Sequence, residues 1–172
     1  ALYPLMKRIT WWPQAWLGIV FSWGALVGGA AAAPEGGMPQ EAIYLYIGCI
    51  FWTIGYDTIY ALQDREDDAL VGVRSTARLF ASKWRLWTSV VYVLAIALWA
   101  IAGAVAGAGW WFGFALAFIG AAAIWPMLQR VDDAKPETAL ASFKFNAIIG
   151  LCVLLAFALE SIWRTLRPML ER

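Results

Sequence analysis

The residues that can carry chemistry are acidic, and they gather in one part of the chain. Asp57 interrupts an apolar run (43–62) that is otherwise uncharged, and an ionisable side chain at such a position is costly and therefore indicates a function. If the helix of this run continued, its pitch of about 3.6 residues would return Asp64 and Asp68 to within about 20° of Asp57. We therefore expect a stripe of three carboxylates that leads from the apolar region to the polar surface, with Asp67 beside it.

The segment that follows this run mixes acidic and basic side chains. Its sequence, QDREDDALVGVRSTARLFASK (63–83), is richer in charge than a simple connection needs. Carboxylates without histidine or thiolate partners favour hard cations, and Mg²⁺ takes one or two carboxylates together with substrate phosphates. Nearby Arg74, Arg78 and Lys83 can hold phosphate oxygens. This mixture predicts a site for a magnesium–diphosphate complex; the alternative is a solvated, salt-bridged loop in which Asp57 pairs with an arginine.

Composition decides which class of protein must position these side chains. Of the 172 residues, 62% are hydrophobic and 15% are charged, against about 45–50% and about 25% in soluble domains. These values exclude a soluble domain, a disordered chain and a disulfide scaffold. The formal net charge of +1 gives no field that would attract nucleic acid, and the absence of histidine removes the commonest acid–base catalyst. The composition indicates an integral membrane protein.

Five apolar runs are long enough to cross a bilayer, which needs about 20 residues per helix. They predict helices at about 13–33, 43–62, 86–107, 110–128 and 143–163. The predicted fold is therefore an all-α, multi-pass transmembrane helical bundle in one membrane domain. The positive-inside rule places Lys7, Arg8 and the acidic segment on the cytoplasmic face. Arg164, Arg167 and Arg172 then lie on the opposite face, against the same rule.

Three segments of the chain resemble the UbiA superfamily of membrane prenyltransferases, in particular its members that prenylate 4-hydroxybenzoate. The first is YPLMKRITWWPQAWLG (3–18), which is similar to the segment before that family's fifth helix. The second is GYDTIYALQDREDDALVGVRSTA (55–77), which is similar to its second aspartate-rich motif. The third is FKFNAIIGL (143–151), which is similar to the start of its last helix. The matches follow the family's order over almost the whole chain.

The resemblance implies a bundle of nine helices with two aspartate-rich motifs, of which this chain carries the C-terminal five helices and the second motif. It implies transfer of a polyprenyl group from polyprenyl diphosphate to the ring of 4-hydroxybenzoate, in ubiquinone synthesis, in the bacterial cytoplasmic or mitochondrial inner membrane. By position, Asp64 and Asp68 resemble the Mg²⁺-binding pair, and Asp57 and Asp67 resemble its supporting acids. Lys7 and Arg8 match a basic pair that holds diphosphate or the acceptor's carboxylate. We add Tyr60, Arg74 and Arg78 to the expected substrate site only because they are near in sequence.

Two other functions remain open from the sequence. The acceptor could be another aromatic compound, such as homogentisate, dihydroxynaphthoate or a tetrapyrrole. The chain could instead be part of a cation or proton transporter in which Asp57 relays the ion. Against the transporter, the sequence has no internal repeat, and its acids gather near one surface rather than at the midplane.

Overall fold

The computed structural model describes residues 3–33 and 36–170, and in these ranges every regular element is helical, as predicted. The helices in chain order are α1 (Tyr3–Ile9), α2 (Pro13–Phe21), α3 (Trp23–Ala32), α4 (Gln40–Tyr60), α5 (Arg65–Val71), α6 (Thr76–Phe80), α7 (Trp84–Val105), α8 (Trp110–Ile119), α9 (Trp125–Arg130) and α10 (Pro136–Leu170). A 3₁₀ turn (Ala81–Lys83) precedes α7, and a π-helical turn (Gly120–Ile124) joins α8 to α9. Arg172 lies outside the described residues.

Five stretches are long and apolar enough to span a membrane, which confirms the predicted number: Pro13–Ala32, Gln40–Ala61, Thr76–Val105, Trp110–Arg130 and Pro136–Leu170. The chain is an integral membrane protein. Two of the crossings differ in detail from the prediction. The first consists of two helices, α2 and α3, which meet at Ser22, and the last begins at Pro136 rather than near residue 143. Proline is favoured at the first position of a helix, so α10 starts in the polar connection well before its apolar part.

The acidic segment does not continue the helix that carries Asp57, so the predicted helical stripe is wrong in its geometry. Helix α4 ends at Tyr60, and residues 61–64 form turns before α5. The carbonyl of Tyr60 accepts the backbone N–H of Gln63 at 3.2 Å and the side-chain amide of Gln63 at 3.0 Å. In a continued helix that carbonyl would accept from the N–H of Asp64. The tighter turn ends the helix, and the position of the later acids depends on packing instead of helical pitch.

Helix α4 lies at the centre of the bundle. It contacts α2, α3, α7 and α10, while α8 packs against both α7 and α10. Small residues allow the close approaches: a Cβ atom added to Gly18 of α2 would lie 3.0 Å from the Cα atom of Ile50 in α4, and one added to Gly55 would lie 2.9 Å from the ring of Tyr92 in α7. Contacts of this kind are how membrane helices pack, because lipid gives no hydrophobic drive for helices to associate.

Replacing Gly103 with alanine is expected to lower the free energy of unfolding by about 1–3 kcal/mol, the usual cost of overpacking a core. The added Cβ atom would lie 2.3 Å from the ring of Phe112, which is fully buried, so the ring or the helix would have to shift. Gly150→Ala is the matched control, since nothing lies within 4 Å of its added Cβ atom. Thermal unfolding of both variants in detergent checks this. Equal melting temperatures would contradict the packing of α7 against α8.

Candidate substrate site at the acidic end of the bundle

Helix α1 brings two of the predicted acids together. The hydroxyl of Tyr3 donates a hydrogen bond to Asp57 Oδ2 at 2.9 Å, and the ammonium of Lys7 forms an ion pair with Asp68 Oδ2 at 3.4 Å. Tyr3 and Lys7 are four residues apart, so they lie on the same face of α1. Asp57 belongs to α4 and Asp68 to α5. One short helix therefore connects the end of the apolar span to the acidic segment, and these four side chains are the Tyr3–Lys7 site.

Burial separates the predicted acids into two groups. Asp57 and Asp68 are 8% and 9% exposed, whereas Asp64 and Asp67 lie on the surface. Asp64 precedes α5, and its backbone carbonyl accepts the N–H of Asp68 at 2.7 Å. Within residues 3–33 and 36–170, no three Asp, Glu or Cys side chains lie close enough to hold a metal ion by themselves. The site therefore contains two buried carboxylates, while the carboxylates of Asp64 and Asp67 are exposed to solvent.

Tyr3 is a member of the site that the sequence interpretation missed. Burial raises the pKa of its hydroxyl above the ordinary value, and the negative charge of Asp57 beside it raises that pKa further. The phenol therefore stays protonated and acts as a hydrogen-bond donor over the physiological pH range. The signal that could have revealed it is the spacing in YPLMK, where the tyrosine precedes Lys7 by one helical turn.

Arg74 and Arg78, which were predicted to bind phosphate, form hydrogen bonds to backbone carbonyls around the site. The guanidinium of Arg78 donates to the carbonyls of Asp68, at 3.2 Å, and Val73. The guanidinium of Arg74 donates to the carbonyl of Ile9 at 2.9 Å, and its backbone N–H donates to that of Lys7 at 2.7 Å. The bonds of Arg74 join the end of α1 to the loop between α5 and α6, and those of Arg78 join α6 to α5 and to that loop. In this arrangement Arg74 and Arg78 position Lys7 and Asp68, and their predicted contact with phosphate remains a prediction.

Both arginines also lie near the ring of Trp11. The guanidinium carbons of Arg74 and Arg78 are 5.7 and 5.5 Å from its centroid, which is within the range of cation–π attraction. Arg8 and Tyr60, which were also predicted to bind substrate, form no hydrogen bond or ion pair with Tyr3, Lys7, Asp57 or Asp68 in the described residues. Arg8 is exposed, and the ring of Tyr60 packs against Phe143 at 4.8 Å.

A buried network of hydrogen-bonded polar side chains lies next to the site and joins α2, α4 and α6. The side-chain oxygen of Gln14, which is fully buried, accepts the backbone N–H of Thr76 at 3.1 Å. The hydroxyls of Thr76 and Thr58 are 2.6 Å apart, and Thr58 also donates to the carbonyl of Ile54 at 2.6 Å. Buried polar groups in apolar surroundings are retained when they are hydrogen-bonded to one another. This network fixes α2 and α6 against the part of α4 that carries Asp57.

The sequence profile of the UbiA prenyltransferase family matches residues 1–162. This chain belongs to the UbiA prenyltransferase family. The match includes α1, the acidic segment and most of α10, so every side chain of the Tyr3–Lys7 site lies inside it. No solved structure matches the chain.

Three relatives show where the chain stands within the UbiA family. It is 40% identical to a mitochondrial 4-hydroxybenzoate polyprenyltransferase of Bos taurus over 93% of its own length and 43% of the relative. It is 39% identical to a 4-hydroxybenzoate octaprenyltransferase of Ectopseudomonas mendocina over 93% of its own length and 53% of the relative. It is 40% identical to 4-hydroxybenzoate geranyltransferase 1 of Lithospermum erythrorhizon over 88% of its own length and 48% of the relative. The chain thus spans about half the length of these relatives.

Proposed function

We propose that the full-length protein transfers a prenyl group from a prenyl diphosphate to the ring of 4-hydroxybenzoate. The observation that carries the proposal is the meeting of Asp57 and Asp68 with Tyr3 and Lys7, in a chain of the UbiA family. The names of the three relatives support the acceptor, because they differ in the prenyl group but share 4-hydroxybenzoate. For the same reason they leave the length of the prenyl chain open. The remaining helices and the first aspartate-rich motif would come from the other half of the protein.

The carboxylates of the Tyr3–Lys7 site, together with Asp64 and Asp67 of the acidic segment, would suit a divalent cation bound with a diphosphate. Mg²⁺ typically uses only one or two protein carboxylates and completes its octahedron with phosphate oxygens and water. Asp68 and Asp64 would hold the ion, with Asp67 and the buried Asp57 as supporting acids. When bound, Mg²⁺ neutralises the charge that develops on the leaving diphosphate.

Lys7 and Tyr3 have complementary roles in this proposal. The Lys7 ammonium, now paired with Asp68, lies where it can turn to the diphosphate and stabilise its negative charge as the allylic C–O bond breaks. Tyr3 keeps one oxygen of Asp57 engaged and so limits the directions in which that carboxylate can point. The site needs no histidine, because the electron-rich ring of the acceptor attacks the allylic cation directly and the displaced ring proton passes to the released diphosphate.

The helices around the site provide the dry surroundings that an allylic cation needs. Tyr56, next to Asp57, packs its ring against Phe143 of α10 at 5.8 Å, and Phe143 also contacts Tyr60. Aromatic faces attract cations, and excluding water prevents it from capturing the intermediate. Beyond the rings, the exposed apolar faces of α8 and α10 leave room for a prenyl tail in contact with lipid. This function implies a role in ubiquinone synthesis. It also implies a location in the bacterial cytoplasmic membrane or the mitochondrial inner membrane.

Acceptor competition tests the proposed function. The full-length protein in lipid vesicles would receive Mg²⁺, a prenyl diphosphate and equal amounts of 4-hydroxybenzoate, homogentisate and dihydroxynaphthoate, and products would be identified by mass spectrometry. The expected product is 4-hydroxybenzoate prenylated ortho to its hydroxyl. Prenylation of another acceptor in preference would contradict the proposed acceptor, and the absence of any prenylated product would contradict the transferase itself.

Tyr3→Phe is expected to lower turnover by about tenfold or more. The variant keeps the ring but removes the hydrogen bond to Asp57, and a hydrogen bond to a charged group contributes about 1.5–3 kcal/mol. Tyr46→Phe is the matched control, because its hydroxyl donates to the carbonyl of Ile19 at 2.9 Å, away from the site. Steady-state rates of both variants in the full-length protein check the expectation. A loss of the same size in Tyr46→Phe would show that the effect of Tyr3 is not specific to the site.

A further inference from the structure

A second polar site lies at the end of the bundle opposite Asp57. Glu41 is in the first turn of α4 and Asp57 near its end, so about 24 Å of helix separates them at about 1.5 Å per residue. A cavity of about 830 Å³ opens at this far end between α3, α4, the α7–α8 connection and α10. None of the predicted substrate residues lines it.

Glu160 gives this far-end cavity its chemistry. It is 5% exposed and lines the cavity. One carboxylate oxygen, Oε1, accepts the backbone N–H of Gly109 at 2.9 Å. The other oxygen, Oε2, is buried and has no hydrogen-bond donor within the described chain. A buried carboxylate oxygen without a donor is costly, so its position in a cavity points to a ligand that supplies one.

The other charged side chains of the cavity define what that ligand carries. Glu41 adds a second carboxylate at its edge, and Arg164 adds a guanidinium that lies beside Gly107. Among the described residues Arg164 forms no ion pair with Glu41 or Glu160. Two acids and one free guanidinium complement a zwitterion, with a cationic donor facing the carboxylates and an anionic group facing the arginine.

The walls of the cavity select an amphipathic ligand. Small and aromatic side chains form most of the lining, including Ala25, Gly29, Ala102, Ala106, Phe112 and Phe157. Glu160 and Arg164 lie at the C-terminal end of the apolar run predicted to cross the membrane (143–163), where a lipid headgroup is expected. We propose that this cavity binds a phospholipid with a primary-amine headgroup, whose ammonium donates to Glu160, whose phosphate pairs with Arg164 and whose acyl chain lies on the apolar wall.

This proposal makes a sharp distinction between two lipids of the same net charge. A primary ammonium has three N–H donors for the carboxylates, as lysine has. A choline headgroup carries the same charge but has no N–H, so it leaves Glu160 Oε2 without a donor. The difference of one charge-assisted hydrogen bond predicts that dioleoyl phosphatidylethanolamine binds about tenfold tighter than dioleoyl phosphatidylcholine.

The experiment uses the full-length protein, stripped of lipid and titrated with either lipid in detergent, with bound lipid counted by native mass spectrometry. The expected result is the tenfold preference for phosphatidylethanolamine, its loss in Glu160→Gln and its retention in Glu137→Gln, an exposed acid at the other end of α10. Soluble phosphoethanolamine, which lacks acyl chains, should not compete at equal concentration. If it competes as well as the lipid, a small solute rather than a lipid is the ligand, and the proposal is overturned.

Arg164→Gln keeps the proposal testable if Glu160→Gln fails to fold, because Arg164 is exposed. This variant should weaken both lipids about equally, since both carry the phosphate. Equal binding of the two lipids to the unaltered protein would overturn the proposal. So would an unchanged preference in Glu160→Gln, or no lipid retained at all, in which case another part of the full-length protein fills the cavity.

Discussion

Asp68→Asn in the full-length protein is expected to lower Mg²⁺-dependent prenyl transfer by roughly 100-fold or more, because loss of a metal-binding carboxylate weakens both binding of the ion and stabilisation of the leaving diphosphate. Asp68 is the acid of the α5 segment that is buried and faces Lys7. Alanine at position 64 or 68 is expected to abolish transfer in the same way. Asp68→Asn is the more specific test at this position, because it removes the negative charge and keeps the size of the side chain. Initial rates over a range of Mg²⁺ concentrations measure the effect.

The control for this prediction must distinguish a lost metal site from a damaged fold. Removing the charge of Asp68 leaves Lys7 without its ion-pair partner, and a partly buried charge without a partner lowers stability. The thermal unfolding temperature of each variant is therefore measured beside its rate, and raised Mg²⁺ should restore part of the activity of Asp68→Asn. Retained turnover in both Asp64→Ala and Asp68→Ala would remove the proposed metal role.

Asp57→Asn is expected to lower turnover by roughly 10- to 100-fold, while Glu66→Gln changes it by less than about twofold, as exposed substitutions usually do. Asp57 is buried and bonded to Tyr3, so the amide keeps an acceptor for that hydrogen bond but loses the negative charge that would support the metal ion. Glu66 is an exposed acid only two residues from Asp68. It lines a surface cleft with Arg65 and Asp133 and, within the described chain, forms no hydrogen bond or ion pair with Tyr3, Lys7, Asp57 or Asp68.

The comparison works because both substitutions replace an acid with its amide. The steady-state rates of both variants, and the dependence of those rates on prenyl diphosphate concentration, are measured side by side in the full-length protein. If the two variants lose activity equally, the assignment of Asp57 to the site is wrong, and the negative charge of the whole acidic end would be what matters. A further check is the double variant Tyr3→Phe, Asp57→Asn. Its loss of activation free energy should be smaller than the sum of the losses in the two single variants, because the two side chains share one hydrogen bond.

The crossings of the membrane could be predicted because length and apolarity alone decide them. Their internal breaks could not. The division of the first crossing at Ser22 and the end of α4 at Tyr60 depend on individual hydrogen bonds, such as the one that the side chain of Gln63 donates to the carbonyl of Tyr60. Helical pitch predicted that Asp57, Asp64 and Asp68 share one helix face, whereas the structure brings only Asp57 and Asp68 to α1. Asp57 and Asp68 meet because α1 folds over both of them, although α4 does not continue between them.

The candidate site was predictable in its acids and less so in their partners. An acid within an apolar run is conspicuous in any sequence, but Tyr3 and Thr58 look ordinary until the fold brings them to Asp57 and Thr76. Arg74 and Arg78 illustrate the opposite case, since side chains that looked free for phosphate donate to backbone carbonyls. Sequence shows which residue types are present, whereas long-range contacts decide which of them remain available for a ligand.

Binding of a non-hydrolysable prenyl thiodiphosphate to the full-length protein, measured by calorimetry with and without Mg²⁺, tests the central claim most directly. The account predicts tight binding with the ion, at least tenfold weaker binding after chelation, and loss of this difference in Asp68→Asn, as expected when carboxylate and diphosphate share one ion. Equal affinity with and without Mg²⁺, or an unchanged metal dependence in Asp68→Asn, would contradict it.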